Sequence, residues 1–136
     1  MEKLNEHFTS IYYYLRPEHD EKISHQSVRI LQTLEKEGAL TVRNIAERFS
    51  ISHNTASEHI KKLEKNNWVS KTRLSIDQRV VTIQLTKEGE EVVRLNTQLD
   101  SGKLEHVINQ LTSAEQEKVM HVFQRLSEVA KDVYGR

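Results

Sequence analysis

Hydrophobic and polar positions along the chain follow two periods, which divide it into helical and strand-like segments. Apolar residues spaced three and four apart predict helices, whereas alternation of apolar and polar residues predicts strands. The helical segments are residues 1–16, 24–36, 41–49 and 53–66, a long segment that begins after Thr86, and a last one that begins after Thr112. The strand-like segments are residues 68–74 and 80–85. The pattern therefore predicts helices on both sides of a single β-hairpin.

Residues at the segment ends support these assignments. Pro17 ends the first helix, because its ring disfavours helix at the preceding residue. Thr112 and Glu115 have the spacing of a capping box, which predicts the start of the last helix. Within the long segment before it, Ser101 and Gly102 indicate either a kink or a loop.

The segment 53–66 has a narrow apolar face and a broad polar one. Ala56, Ile60 and Leu63 share the apolar face, and Ser52 is the predicted N-cap. The polar side carries His53, Asn54, Ser57, Glu58, Lys61 and Lys62. A helix that reads base edges needs short hydrogen-bonding groups near its start and cations that reach the phosphates. The alternative is an ordinary solvated face, and the choice between the two depends on the neighbouring segments.

The neighbouring segments complete a recognisable arrangement. The helix at 41–49 is capped by Thr41, and the link of residues 50–52 is short enough to allow only a tight turn. Two short helices joined in this way form a helix-turn-helix, whose second helix docks in the major groove. The strand-like segments follow at once, with a turn signal at 75–78. The predicted fold is therefore mainly α (α+β), a winged helix-turn-helix with a two-stranded wing.

The terminal helices carry apolar stripes that the winged-helix core is too small to cover. A second copy of the chain is the simplest cover, which predicts a two-fold homodimer. The alternative is a monomer whose terminal helices fold back on the core. The predicted division is an N-terminal dimerisation helix and linker at 1–23, a DNA-binding domain at 24–90 and C-terminal dimerisation helices at 91–136.

Charge is distributed unevenly along the chain. Twenty basic and twenty acidic residues cancel, so the net charge does not indicate a nucleic-acid partner. From Thr41 to Thr86, however, eight lysines and arginines stand against four acids, an excess of four. A locally basic segment within a neutral chain fits double-stranded DNA as the partner.

Several functions are excluded or disfavoured by composition. The chain has no cysteine, which excludes disulfides, thiolate metal sites and thiol redox sensing. No pair of histidines has helical metal-ligand spacing, and no nucleophile–base pair or glycine-rich phosphate loop appears. We therefore expect neither an enzyme nor a bound cofactor or metal. The longest apolar run, residues 11–15, is too short to span a bilayer, and no signal-peptide core is present, so a cytoplasmic protein without a membrane partner is expected.

One set of residues matches the sequence pattern of a known family. It consists of Leu40-Thr41, Ile45-Ala46, Ile51-Ser52, Thr55, Ser57, Leu63-Glu64, Asp77-x-Arg79 and Leu85-Thr86-x-x-Gly89. This pattern resembles the MarR family of bacterial transcription regulators. The resemblance implies a homodimer that binds a pseudo-palindromic operator, repression rather than activation, and a crevice for a small-molecule effector. Asn67 stands where the family usually has glycine, and asparagine accepts the left-handed conformation needed there.

The predicted DNA contacts differ in their chemistry. Ser52 and Thr55 suit phosphates, and His53, Asn54 and Ser57 suit base edges, while the cations Lys61, Lys62, Lys71 and Arg73 suit the DNA backbone. Arg79 is expected to enter the narrow minor groove, where negative potential is concentrated, and Asp77 to hold the wing turn. The alternative for this last pair is an inconsequential surface ion pair. Glu58 could accept from a cytosine amino group or pair with Lys61 or Lys62.

Aromatic residues suggest an effector site. Tyr12, Tyr13 and Trp68 could line a pocket for a small aromatic effector, although core or dimer packing is the alternative. The function indicated by all these features is sequence-specific transcription regulation. The competing hypothesis is a winged-helix protein–protein interaction module that binds no DNA.

Overall fold

The computed structural model describes residues 1–73 and 79–135, and the chain divides into two compact units. One unit is Arg16–Gln98, and the other combines Met1–Leu15 with the chain from Leu99 onward. The helices are α1 (Glu2–Leu15), α2 (His25–Glu37), α3 (Val42–Phe49), α4 (His53–Lys65), α5 (Lys87–Thr97), α6 (Ser101–Ile108) and α7 (Ser113–Tyr134). The strands are β1 (Leu40–Thr41), β2 (Val69–Arg73) and β3 (Val81–Leu85). The predicted winged helix-turn-helix is confirmed, and it lies within the first of these units.

Side-chain caps fix where the helices of the winged-helix unit begin. Thr41 and Asn44 form a capping box, in which the Asn44 amide donates to Thr41 Oγ1 at 3.0 Å and the Thr41 amide donates to Asn44 Oδ1 at 3.1 Å. Ser24, Ser52 and Thr86 each accept from an amide of the first turn of the helix that follows. These contacts satisfy amides that a helix start leaves without a partner. The predicted caps are therefore confirmed.

Two non-glycine residues adopt the left-handed conformation at the ends of α3 and α4. Asn67 has φ 62°, as its position after α4 predicted, and its amide donates to the Glu64 carbonyl at 2.9 Å. Ser50 has φ 52° and closes α3, and the next amide, that of Ile51, donates to the Ala46 carbonyl at 3.1 Å. Serine has no special tolerance of this conformation, so its use at residue 50 was not foreseen.

The sheet contains one strand more than the predicted wing. Its three strands are antiparallel in the order β1-β3-β2, with Leu40 opposite Ile83 and Lys71 opposite Ile83 on the other side. The additional strand, β1, has two residues, which is too short for alternation to be detectable. The predicted turn at 75–78 lies outside the described residues.

A single apolar cluster holds the winged-helix unit together. Its buried members come from four helices and both longer strands: Ile30, Leu31, Leu34, Ile45, Ala46, Ala56, Ile60, Leu63, Val69, Ile83, Val92 and Val93. Val92 and Val93 lie on α5, so this helix is part of the core of the winged-helix unit. The compact unit that contains this core extends to Gln98.

The long segment predicted to be helical after Thr86 forms two helices. The prediction of one continuous helix was therefore wrong, and the alternative of a loop is confirmed. Helix α5 ends at Thr97, and Asp100 caps α6 by accepting from the Lys103 amide at 2.9 Å. A short polar side chain at a cap position offers the backbone a contact that competes with a continuous helix. The break thus precedes Ser101 rather than falling at Gly102.

The other unit leaves most of its apolar surface exposed. Helix α7 has 22 residues and none of them is buried, while α1 buries only Leu15. The predicted capping box is present, with the Thr112 amide donating to Glu115 Oε1 at 2.9 Å. This hydrogen bond lowers the pKa of Glu115, because it stabilises the charged carboxylate. None of the helices in residues 1–73 and 79–135 has the length and apolar composition needed to cross a bilayer.

Gly89 permits a close approach between the start of α5 and the start of the wing. The Thr86 amide donates to the Trp68 carbonyl at 3.1 Å, and a Cβ at Gly89 would lie 2.0 Å from that same carbonyl oxygen. We expect Gly89→Ala to destabilise the winged-helix unit by roughly 1–3 kcal/mol, because the backbone must move to make room. The single tryptophan, Trp68, reports this unfolding by fluorescence during urea denaturation.

Gly102→Ala is the matched control. The nearest atom to a Cβ at Gly102 is Asp100 Oδ1 at 3.4 Å, which is an ordinary contact. This variant should leave the Trp68 transition unchanged. Equal midpoints for the two variants would contradict the steric role of Gly89.

Candidate nucleic-acid interface

The apolar face of α4 determines which side of the helix faces solvent. Ala56 and Ile60 are 0% exposed and Leu63 is 1% exposed, so all three lie fully inside the winged-helix core. The predicted narrow apolar face is thus confirmed. Because side chains on a helix radiate around its axis, burying this face turns the polar side outward.

The outward side of α4 collects most of the predicted contacts. The exposed residues at or near the start of the helix are Ser52, His53, Asn54 and Thr55, and those further along are Lys61 and Lys62. Ser57 is half-buried, on the flank of the helix. The structure therefore places short polar groups at the first turn and cations beyond the middle, on one accessible surface.

The two hydroxyls at the start of α4 are hydrogen-bonded to each other. Ser52 Oγ accepts from the Thr55 amide at 3.0 Å and donates to Thr55 Oγ1 at 2.9 Å. The Ser52 hydroxyl is thereby committed as cap and donor, whereas the Thr55 hydroxyl hydrogen can still be donated to another group. Of these two predicted phosphate contacts, Thr55 is thus the better placed to donate to a phosphate oxygen.

Acidic residues accompany the lysines of this surface. Glu58 Oε1 lies 3.6 Å from Lys61 Nζ, so of its predicted alternatives the structure shows the pairing with Lys61. Glu64 Oε1 lies 3.6 Å from Lys71 Nζ and so links α4 to β2. The second pair was missed by the sequence analysis, because its partners lie on different elements and no spacing rule relates them.

The two faces of the wing have different chemistry. Lys71 and Arg73 lie on the same face of β2 and line, with Val42 and Val81, a recess of about 320 Å³. The opposite face is polar, and there Thr82 Oγ1 donates to the Thr72 carbonyl at 3.3 Å. The cationic side chains of β2 are thus directed to the side of the sheet on which the helices lie.

The tip of the wing is described in part. Arg79 is exposed and directly precedes Val80 and β3. Asp77, its predicted partner, lies outside the described residues. The minor-groove role of Arg79 stays a prediction, as do the individual roles of the α4 residues.

The aromatic residues predicted to bind an effector belong to different units. Trp68 is half-buried and packs against the winged-helix core, which matches the core-packing alternative. Tyr12 is half-buried and Tyr13 is exposed, both on α1 of the other unit. The Tyr13 ring meets that of Tyr14 edge-on at 5.0 Å. Across the described parts of the chain, no three histidine, aspartate or glutamate residues gather into a group able to hold a metal ion.

Comparison with known proteins identifies relatives. The model of the MarR family matches residues 23–81. The HTH-type transcriptional repressor MdtR of Bacillus subtilis is 27% identical over 124 residues, which cover 86% of this chain and 79% of that protein. The relatives are transcription regulators rather than enzymes.

Solved structures agree on the fold. A MarR-like transcriptional regulator from Thermotoga maritima superposes with a TM-score of 0.68 at 20% identity, covering 96% of this chain and 93% of that one. Streptococcus pneumoniae FabT, solved in complex with DNA, gives a TM-score of 0.60 at 21% identity and covers 97% and 98%. The matched segment runs through the helix-turn-helix and into β3. Residues 23–81 of this chain therefore match the MarR family, and the chain is similar to winged helix-turn-helix transcription regulators of that family.

Proposed function

We propose that the protein is a repressor that binds a pseudo-palindromic operator as a homodimer in the cytoplasm. The observation that carries the proposal is the outward polar side of α4 next to the cationic side chains of β2. The relative MdtR is named a transcriptional repressor, and the FabT structure contains DNA. Both facts support a role for this chain at an operator.

Affinity and sequence choice would come from different residues. Lys61, Lys62 and Lys71 carry ammonium groups that attract any phosphate backbone and therefore favour all sequences alike. Asn54 and Ser57, near the start of α4, carry short groups that pair with base edges. The division predicts that charge variants change affinity generally, whereas first-turn variants change the choice of sequence.

A homodimer explains the exposed apolar surface of the unit that contains α1, α6 and α7. Phe8 on α1 is 61% exposed, and Phe123 and Leu126 on α7 are 55% and 56% exposed. Large apolar side chains exposed along two helices are characteristic of protein interfaces. A two-fold pair would also present two copies of α4 to half-sites about 34 Å apart, one turn of DNA.

The proposal includes release by a small aromatic effector. Such a ligand would act by binding one conformation of the dimer better than another, with coupling of about 1–3 kcal/mol. Titration of the DNA complex with small aromatic molecules is a direct screen for an effector.

DNA binding is tested with genomic fragments that flank the protein's own gene, by gel shift at two salt concentrations. We expect a selected fragment to bind more tightly than random DNA, and both affinities to fall as salt rises. Asn54→Ala should cost roughly 1–3 kcal/mol on the selected fragment and leave random DNA unchanged. Lys62→Ala should weaken both by the same factor. Absence of salt-dependent binding would leave the protein-interaction module as the better hypothesis.

The wing is tested by Arg79→Ala. This substitution should weaken operator binding and lower the slope of log affinity against log salt by roughly 1, because one cation that displaces counterions from the DNA is lost. Stability should change by less than about 0.5 kcal/mol, since Arg79 is exposed. Lys87→Ala is the matched control. It also removes one cation, but Lys87 is not a predicted DNA contact and lies in a groove lined by α2, β3 and α5. An unchanged salt slope in Arg79→Ala would contradict the minor-groove role of Arg79.

The dimer is tested by light scattering at micromolar concentration. We expect a mass of twice 15.9 kDa for the wild-type chain. Leu126→Glu should yield monomers and abolish cooperative operator binding, because a charge would be buried in an apolar interface. His121→Glu, on the polar side of the same helix, should remain dimeric. A monomeric wild-type protein would rule out the proposed assembly.

A further inference from the structure

Glu64 links the end of α4 to the wing. It lies in the last turn of α4, and its carboxylate is 3.6 Å from the ammonium of Lys71 on β2. The chain between them is short and fixed, because the Asn67 amide donates to the Glu64 carbonyl at 2.9 Å and the Trp68 amide to the Leu63 carbonyl at 3.0 Å. The pair therefore joins two elements whose backbones already hold each other in place.

Glu64 also shares a flank of α4 with a predicted base contact. Ser57 precedes it by seven residues, which places the two side chains on the same side of the helix, about 10 Å apart along the axis. The Lys71 ammonium is thus drawn to the flank that carries Ser57. Both members of the pair are partly exposed, at 38% for Lys71 and 43% for Glu64, so the ammonium remains within reach of DNA.

We propose that Glu64 is a specificity-determining residue, which limits sequence-independent DNA binding by neutralising Lys71. The inference rests on the proposed function and assigns a role to an acid on the DNA-facing side. A cation that is already paired gains less from a phosphate, because the contact with the carboxylate must be given up or shared. The free protein therefore offers DNA one effective charge fewer than its count of lysines indicates.

This neutralisation affects random DNA more than the operator. Binding to random DNA comes almost wholly from phosphate contacts, so each withheld charge lowers it directly. At the operator, base contacts fix the position of α4, and Lys71 is presented to the backbone in one place. At the operator, removal of the Glu64 charge frees Lys71 and so strengthens its attraction to the phosphates. It also gives the Lys71 side chain rotamer freedom that binding must remove, so the gain in affinity is smaller.

The test compares Glu64→Gln with the wild-type protein on two duplexes, the selected genomic fragment and a random sequence. Random DNA should bind about threefold more tightly to E64Q, within the range that an exposed ion pair can supply. Its salt slope should become steeper by up to about 0.9, the contribution of one phosphate contact. The operator should tighten by a smaller factor, so that the ratio of the two affinities falls.

A double-mutant cycle with Lys71→Gln distinguishes an effect of the Glu64–Lys71 ion pair from an effect of the Glu64 charge alone. In the K71Q background, E64Q should no longer change the salt slope for random DNA, because no ammonium is left to release. If E64Q tightens random DNA equally in both backgrounds, Glu64 acts through its charge alone and the proposal is wrong. Thermal midpoints should agree among all four proteins, since both side chains are partly exposed.

Glu47→Gln is the matched control. Glu47 forms an exposed pair with Arg43 on α3 at 3.3 Å, so the substitution removes the same charge from a similar contact. It should show no coupling to Lys71 in the same cycle. Absence of salt-dependent binding by the wild-type protein overturns both the proposed function and this inference. Normal wild-type binding with an unchanged E64Q salt slope and affinity ratio overturns this inference alone.

Discussion

The burial of three small or medium apolar side chains on α4 is the contact on which the DNA-facing surface depends. Ala56, Ile60 and Leu63 fill one side of the helix and leave no room for it to rotate without exposing them. A rotation of one residue, about 100°, would bring a polar side chain into the core, at a cost of several kcal/mol. Packing rather than any polar contact therefore determines which side chains DNA can meet.

The ends of α4 are constrained just as closely. Ile51 anchors the turn before it, and its amide bonds back to the Ala46 carbonyl. After it, the chain reverses at Asn67, and the Trp68 carbonyl accepts from the Thr86 amide at the start of α5. These backbone hydrogen bonds tie α4, the wing and α5 into one unit. The close approach at Gly89 follows from this arrangement, because α5 must begin directly beside the first residues of the wing.

Local signals in the sequence were sufficient for most of the fold. Hydroxyl caps at Thr41, Ser52 and Thr86 are readable because each acts within three residues of its partner. The left-handed turn at Asn67 was readable because asparagine tolerates that conformation. Features that depend on distant partners were not readable. Strand β1 exists only because β3 lies beside it, and the pairing of Glu64 with Lys71 requires the folded wing.

The pattern of charges explains how a protein of zero net charge can present a surface suited to DNA. The excess of basic residues between Thr41 and Thr86 is modest, and the structure reduces it further by pairing Lys61 with Glu58 and Lys71 with Glu64. A stronger field would raise affinity for every sequence, because phosphates are the same at every site. Since a genome offers a vast excess of unspecific sites, a regulator gains more from a high affinity ratio than from high affinity. Under the proposed function, acids interleaved with the lysines of α4 favour that ratio, because they lower the general attraction and leave discrimination to base contacts, for which Asn54 and Ser57 are the predicted residues.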